Sequence, residues 1–306
     1  MNTAAILALA DKGLSRVHKL EADTERHYEK FMSTIEPDQV KMRTYTQTGF
    51  GLFQKRNEDE HVTSDVNQGI YPQSWLQDLY ALKATLPEYL SEKSSFDPFN
   101  TFSNLGKHLR EAMIHTKNYL ATKALIDGFT TFTSTDGQAL FGTHTRYNGS
   151  AVSNTGTDDL SVSSLMDALQ TIGANVNHRG IPMGLGKKGY TLLTGPMLSA
   201  DAITICQSSG LMDRTDRADN VYIKSLISSC EVNPWISDSV VNGCGNNWFL
   251  MPGDKKMNPL NIVEYQPEKL TLQFIPGNLQ MDTIGRFVQA IVAFGDAWVW
   301  GQNAPS

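Results

Sequence analysis

The sequence predicts an α+β fold, and three observations carry that prediction. One helical period runs from Asp97 to about Gly128, far longer than an ordinary globular helix. Strand-like runs return at the C-terminal end, after the helices and not alternating with them. A polar stretch without helical period sits near the N-terminus, with too few apolar residues to bury itself. The resulting order is arm, ribbon, long helix, second helix, compact α/β middle and returning strands. A doubly wound parallel sheet would need strand and helix to alternate throughout. There is no internal repeat.

The chain has 306 residues, enough for a large core and about two domains. Hydrophobic residues make up 40% and charged residues 19%, the balance of a folded chain. The net charge of −6 argues against a dedicated duplex-DNA binder, which needs clustered Lys and Arg. Cys206, Cys230 and Cys244 are odd in number and too widely spaced for a zinc knuckle, so they read as reduced thiols of a cytoplasmic protein. The apolar run Ala4–Ala10 lacks the basic residues that would precede it in a signal peptide. No stretch approaches the ~20 apolar residues of a membrane helix, and no membrane partner is expected.

Residues 1–42 read as helical and charged. Ile6, Leu9, Gly13, Val17 and Leu20 share one stripe, and Pro37 stops the segment. Such an arm must pack on the body or on a neighbour. From residue 43 the period changes. Two extended runs, Arg43–Gln54 and His61–Tyr71, flank the charged turn "KRNEDE". A two-stranded ribbon this polar is marginal alone, so it projects from the body or lies against a partner. Phe50 and Phe53 precede its tip, which carries Arg56, Glu58, Asp59 and Glu60. The acidic run reads as a solvated turn in preference to a cation site.

Asp97 and Pro98 make an N-cap and first-turn pair for the long helix. Leu105, Leu109, Ala112, Met113, Tyr119, Leu120 and Ala124 follow at helical spacing, and Gly128 supplies a C-terminal glycine. At 1.5 Å per residue the helix spans about 45 Å, the length of a strut across a domain. "GSAVSNTGTDD" reads as a linker. Ser161 then caps a second helix with Leu165, Ala168, Leu169 and Ile172 on its apolar face. Beyond the Gly-rich loop "NHRGIPMGLGKKG" come the buried strand "YTLLTG", the short helix "PMLSADAITICQSS", and strands at "NVYIKSLIS" and "NNWFLMPG". The C-terminal region is mostly extended. From Ala290 both faces are apolar, so that strand is expected to be covered on both sides.

Motifs for chemistry are weak. "GLGKKG", Gly184–Gly189, matches G-x-G-x-x-G, but no strand precedes it and no helix follows. As a Walker loop it has one residue too many between Gly180 and Gly186, and Lys188 stands where Ser or Thr should be. No G-x-S-x-G elbow and no H-E-x-x-H are present, and no cofactor or metal is read from the sequence. Trp298 and Trp300 at period two could stack bases, but core or interface packing is the better reading. The stretch "STDGQALFGTHTRYNGS", Ser134–Ser150, sets Asp136 and His144 among hydroxyls. It admits two readings. One is an acid/base pair. The other, and the better reading, is a rigid corner joining the long helix to the body, in which Gly137 and Gly142 form tight turns, Leu140 and Phe141 are buried, Asp136 bonds the backbone and His144 takes a hydrogen-bonded packing role.

Taken together, these segments resemble the major capsid protein of tailed bacteriophages, with the Hong Kong 97-type fold. The most specific residues are Asp136, Gly137, Ala139, Leu140, Phe141, Thr143 and His144. They are similar to the family's D-G-x-A-L-F-x-T-x-H segment after its long helix, with His144 one place early. Ser153–Asn154, the "DLSVSSLMDAL" helix opening, "GIPMG", "YTLLTG", "LSADAITICQSS", Trp248 within "NNWFLM" and the terminal "FGDAWVWG" also fit. The resemblance implies an N-terminal arm at 1–42, an extended loop and its base at 43–85, and a peripheral domain at 86–186 with its spine helix at 97–128. It implies an axial domain at 187–256 and returning peripheral strands at 257–306. It implies hexamers and pentamers in an icosahedral shell around double-stranded DNA, with scaffolding, portal and decoration proteins as separate chains. It also implies assembly in the host cytoplasm and residence in the virion. On this reading the protein is not an enzyme. Two other classes remain beside it: a tail-tube or decoration protein, and a hydrolase using Asp136 and His144.

Overall fold

The long helix organises the fold. A computed structural model of the chain describes residues 3–19, 24–50, 52, 65–87, 97–185, 188–207, 221–241, 243–275 and 280–303. Helix α3 spans Pro98–Asp127, the third helix after α1 (Thr3–Lys19) and the short α2 (Tyr28–Phe31). The Asp97 carboxylate accepts from the Asn100 backbone N–H, with Pro98 in the first turn, as the sequence predicts. Gly128 ends the helix for a different reason than expected. Its φ of −60° is right-handed, so no left-handed cap forms. What it provides is room: a Cβ there would lie 2.9 Å from the Phe141 ring. Gly13 and Val17 of α1 are buried, and α1 packs along α3.

Among the described residues, α3 lies against a sheet of order β1-β11-β12-β4. It comprises β1 (Ser33–Ile35), β4 (Asp78–Pro87), β11 (Leu260–Ile275) and β12 (Gln280–Ala293). The arm is therefore not helical up to Pro37. Ser33–Ile35 pairs parallel with Asn261–Val263, because Phe31 and Met32 are buried just before it and deliver the chain to the open edge of β11. On β12, Ala290 and Ile291 are only half-buried, and full cover begins at Val292, two residues later than expected.

The second sheet, order β7-β13-β10-β8-β9, contains β7 (Thr155–Gly156), β8 (Tyr190–Thr194), β9 (Ile227–Val232), β10 (Trp248–Pro252) and β13 (Trp300–Gln302). Strands β8 and β10 are buried at every position, and the pleat explains why. Tyr190, Leu192, Trp248 and Leu250 face helix α4 (Val162–Ala174) and helix α5 (Ser199–Gln207). Leu193, Phe249 and Met251 face the other way, into one core with Leu125 of α3 and Leu260 and Ile262 of β11. Helix α4 begins as predicted: Ser161 caps it in a reciprocal capping box with Ser164, and Leu165, Ala168, Leu169 and Ile172 are buried.

Three further segments differ from the sequence reading. "GSAVSNTGTDD" is no linker: β6 (Ala151–Ser153) pairs with β5 (Thr143–Thr145), and β7 joins β13. "NVYIKSLIS" is helical first, as α6 (Val221–Leu226), and extended only from Ile227, since Ile223 is buried beside α5. Trp298 precedes the last strand with φ +59°, so only Trp300 lies on it.

The ribbon pairs β2 (Lys41–Gln47) with β3 (Gly69–Leu76); of the predicted run His61–Tyr71, residues 61–64 lie outside the described residues and residues 65–68 precede the strand. Phe50 is exposed near its end. Phe53, Arg56, Glu58, Asp59 and Glu60 lie outside the described residues. Among the described residues, no helix is long and apolar enough to cross a membrane.

A charge cluster fixes α3 on β11. Lys117 Nζ, 3% exposed, donates to Glu264 at 2.7 Å and to Glu268 at 2.9 Å, and lies 5.2 Å from the Phe287 ring centre. Register shifts between Glu264, Gln266 and Lys269 accompany the approach of both carboxylates to one lysine. Arg26 and Arg110 also reach Glu268. Removing one partner of a buried ion pair leaves a desolvated charge behind. Lys117→Ala should destabilise the chain by about 3 kcal/mol, the low end of that range because Arg26 and Arg110 remain at Glu268. Urea unfolding measures this, and Lys117→Ala within a Glu264→Gln/Glu268→Gln background should cost markedly less.

Candidate functional site: the corner after the long helix

Past Asp127 the chain reverses in a series of turns. Phe132 N–H bonds back to Asp127, Leu140 N–H to Phe132, and Phe141 N–H to Gly128. Within the reversal, Ser134 N–H bonds Gln138 and Gly137 N–H bonds Ser134, with Gly137 at φ +79°. That left-handed position is where a glycine is favoured. Asp136 Oδ1 accepts from the Gln138 N–H at 3.1 Å, the backbone-bonding role expected of a turn aspartate.

Asp136 does a second thing. Its Oδ2 lies 2.8 Å from His144 Nδ1, so the two residues are a pair. The other ring nitrogen, Nε2, is 3.2 Å from the Leu140 carbonyl. An acceptor on each side favours the doubly protonated ring, both N–H groups donating. Burial alone would push His144 down, but the Asp136 hydrogen bond, with the charges of Asp296 and Asp136, outweighs it and raises His144 above its ordinary 6.5. Burial likewise opposes ionisation of Asp136, and His144 reverses that, holding the carboxyl below its ordinary 3.8.

The pair is unsuited to acid/base catalysis. His144 is 1% exposed, and both its nitrogens are engaged within the corner. It has no lone pair aimed at a cavity, which a general base needs. The surroundings are structural. Asn154 accepts from Gly142 N–H through its side chain and donates to the carbonyls of Leu140 and Asp296. Gly301 N–H bonds the Asn154 carbonyl. Arg146 donates to Asp296 at 2.8 Å and to the Val176 carbonyl. Leu140 and Phe141 are buried, and the Phe141 ring centre is 4.9 Å from Phe129 and 5.4 Å from Phe249.

The ribbon rests on this corner. Tyr71 Oη donates to the Thr145 carbonyl, Gln73 to the Ser134 carbonyl, and Tyr147 Oη to Gln68. Arg179 spans to Asp65 and to the Gly49 carbonyl. A ribbon too polar to stand alone is thus held partly by its own chain.

The tryptophans are packing residues. Trp248 is fully buried with its indole donating to the Asp158 carbonyl. Trp300 donates to Gln302, and Trp298 to the Gly184 carbonyl. The structure brings Asp136, Gly137, Leu140, Phe141 and His144 together, and sets Trp300 in a neighbouring strand. Trp248 belongs to the second sheet and Phe50 to the ribbon. Sequence reasoning gave Arg146 and Asp296 no role, and met Asn154 only as part of the resemblance, without its bonds. Polar residues between short strands carry no periodic signal, and only the tertiary fold reveals that they are buried. Among the described residues, no group of three His, Cys, Asp or Glu could hold a metal.

No protein-family model matches the sequence, and no curated protein does. Solved structures do match the fold. The virus-like particle from Pyrococcus furiosus is 11% identical, with 98% of each chain covered and a TM-score of 0.52. The capsid of the empty GTA particle is 9% identical over 94% of this chain and 96% of that one, TM-score 0.58. The mature capsid of bacteriophage PhiM1 is 10% identical over 93% and 90%, TM-score 0.56. The chain therefore has the fold of these capsid proteins over nearly its full length, the Hong Kong 97-type fold implied by the sequence resemblance.

The pair has a signed pH signature. The raised His144 contributes stability that is complete below its ordinary 6.5 and is lost as pH rises through its higher folded value. The depressed Asp136 contributes stability that is complete above its ordinary 3.8 and is lost as pH falls through its lower folded value. Between those two ordinary values the pair is at full strength. Urea unfolding of wild type and His144→Gln across this range should show the largest difference between the two ordinary values and a smaller one in alkali.

Proposed function

We propose that this chain is the major capsid protein of a tailed double-stranded DNA phage, assembling as hexamers and pentamers into an icosahedral shell. The observation that carries this reading is the extent of the structural match. Chains near 10% identity to this one, each a capsid or virus-like particle subunit, align over nine-tenths or more of both partners.

The subdivision proposed is the one implied by the resemblance. The arm is 1–42, the extended loop with its base 43–85, the peripheral domain 86–186 with its spine at 97–128, the axial domain 187–256, and the returning strands 257–306. Exposed apolar residues support an assembling surface. Tyr45 and Leu76 stand on the ribbon, and Leu79 and Leu82 on β4, at one edge of the long sheet; each is more than half exposed. Unburied apolar surface of this kind marks contact sites, and closed symmetric shells bury it by repeating modest contacts. Phe50, Phe53, Arg56, Glu58, Asp59 and Glu60, which lie in sequence between the two ribbon strands, are proposed as assembly residues.

The net charge of −6 suits an inner wall that holds DNA non-specifically and loosely. Scaffolding, portal and decoration proteins are proposed as separate chains, with assembly in the host cytoplasm and residence in the virion. The role is structural, not enzymatic: the one catalytic-looking pair, Asp136 and His144, is buried and committed to the corner.

Overexpressed protein, examined by negative-stain electron microscopy, is expected to form closed shells. Rings, tubes or isolated knobs would assign it to another part of the virion. Phe141→Ala, which empties a buried aromatic site, should cost about 3–5 kcal/mol in unfolding experiments and yield no shells. A Phe141→Ala protein that formed normal shells would contradict the role given to the corner.

A further inference from the structure

Asn148 and Gly149 lie exposed in the connection between β5 and β6, beside the ribbon. The Asn148 carboxamide is held in a defined way. Its Oδ1 accepts from the Ser150 backbone N–H at 3.0 Å and from the Ser150 hydroxyl at 2.7 Å. Two donors on one carbonyl oxygen draw electron density from Cγ and stabilise the charge that a nucleophile would place there. The residue that follows offers an unhindered backbone nitrogen. Gly149 stands at φ +85°, and a Cβ there would meet no atom within 4 Å. Its N–H donates to the Arg146 carbonyl at 2.9 Å, one turn bond whose local opening frees the nucleophile.

We propose that Asn148 is a site of spontaneous deamidation, and that its conversion loosens the clasp between the corner and the ribbon. The Gly149 nitrogen loses its proton and attacks Asn148 Cγ. The Cγ–Nδ2 bond breaks, ammonia leaves, and a cyclic succinimide remains. Water then opens the ring at either carbonyl, leaving aspartate or isoaspartate at position 148. The net change is an amide and water to a carboxylate and ammonium, and no enzyme, oxidant or reductant takes part.

The surroundings turn this local change into a wider one. The Asn148 N–H donates to the His178 carbonyl at 3.2 Å, and its Nδ2 lies so near Gly180 that a Cβ there would be 2.5 Å from it. Between those two residues stands Arg179, which holds Asp65 and the carbonyls of Gly49 and Val66. On the other side, Tyr147 Oη donates to Gln68. Isoaspartate inserts a further carbon into the backbone between Tyr147 and Ser150. Either product sets a negative charge where a neutral amide packed.

The test uses the full chain, aged in the folded state in mildly alkaline buffer. Peptide mapping should show the mass gain of an amide-to-acid exchange at position 148, and an isoaspartate-specific methyltransferase should label the same peptide. Ser150→Ala should slow the conversion by about threefold to tenfold, the weight of one lost hydrogen bond. Asn148→Gln should abolish it, because the longer side chain closes the ring poorly. Hydrogen exchange at Thr48 and along β3 should quicken in aged wild type and not in aged Asn148→Gln. The sequence has a second Asn-Gly pair, Asn242–Gly243, of which Asn242 lies outside the described residues. Conversion there alone, an intact Asn148 in a folded chain that converts once unfolded, an unchanged rate in Ser150→Ala, or unchanged exchange in the ribbon would overturn the proposal. None of these readings needs particles to form, so a failure here and a failure of the shell proposal are told apart.

Discussion

The Phe141 ring occupies space that two glycines leave open, and the two sheets meet around it. Gly128 closes the long helix on one side, and Gly301 sits in the last strand on the other. A Cβ at either would strike the ring, at 2.9 Å and 2.5 Å respectively. The ring also packs with Phe129 and Phe249, so one side chain touches the helix end, the corner and the centre of the second sheet. Interiors packed at crystal density do not accommodate such a ring by loosening. The direction in which the chain leaves the helix, and the position of β13 beside β10, therefore follow from one buried aromatic.

Around that ring several buried polar side chains are paired in ways that specify geometry. Asn154 is buried and uses its side chain and its carbonyl to bind the corner, the Asp296 loop and the last strand. Asp136 and His144 close the turn, Arg146 and Asp296 join it to the approach of the final strand, and Lys117 with Glu264 and Glu268 seats the helix on the long hairpin. Buried ion pairs add little net stability against apolar replacements, because desolvation offsets their attraction. Their more consistent consequence is register. A helix slid along β11 would leave Lys117 without either glutamate, a large penalty for a small displacement.

Much of this fold was legible in the sequence wherever a period was long or a cap was chemical. The Asp97–Pro98 start of α3, the Ser161 cap of α4 and the all-apolar "YTLLT" each appear where expected. The misreadings share one cause: tertiary partners decided short segments. Ser33–Ile35 is a strand because β11 offers an edge. Val221–Leu226 is a helix because Ile223 is buried beside α5. "GSAVSNTGTDD" holds two strand pairings that no alternation announces. The corner was half-legible. Its apolar residues and its turn glycine were evident, and the pairing of Asp136 with His144 was visible as a possibility. Only the structure shows that the ring is buried with both nitrogens engaged, which converts an apparent catalytic pair into a fastening.

The central claim is that the corner is a rigid structural joint. Amide hydrogen exchange on the full chain measures this most directly. The N–H groups of Leu140, Phe141, Gly142, Asn154 and Gly301 all donate within the corner. They should exchange as slowly as those of β8 and β10 at the centre of the second sheet. Exchange of these five amides as fast as residues 65–68, which lead into the ribbon's second strand, would contradict the account and make the corner an ordinary mobile loop.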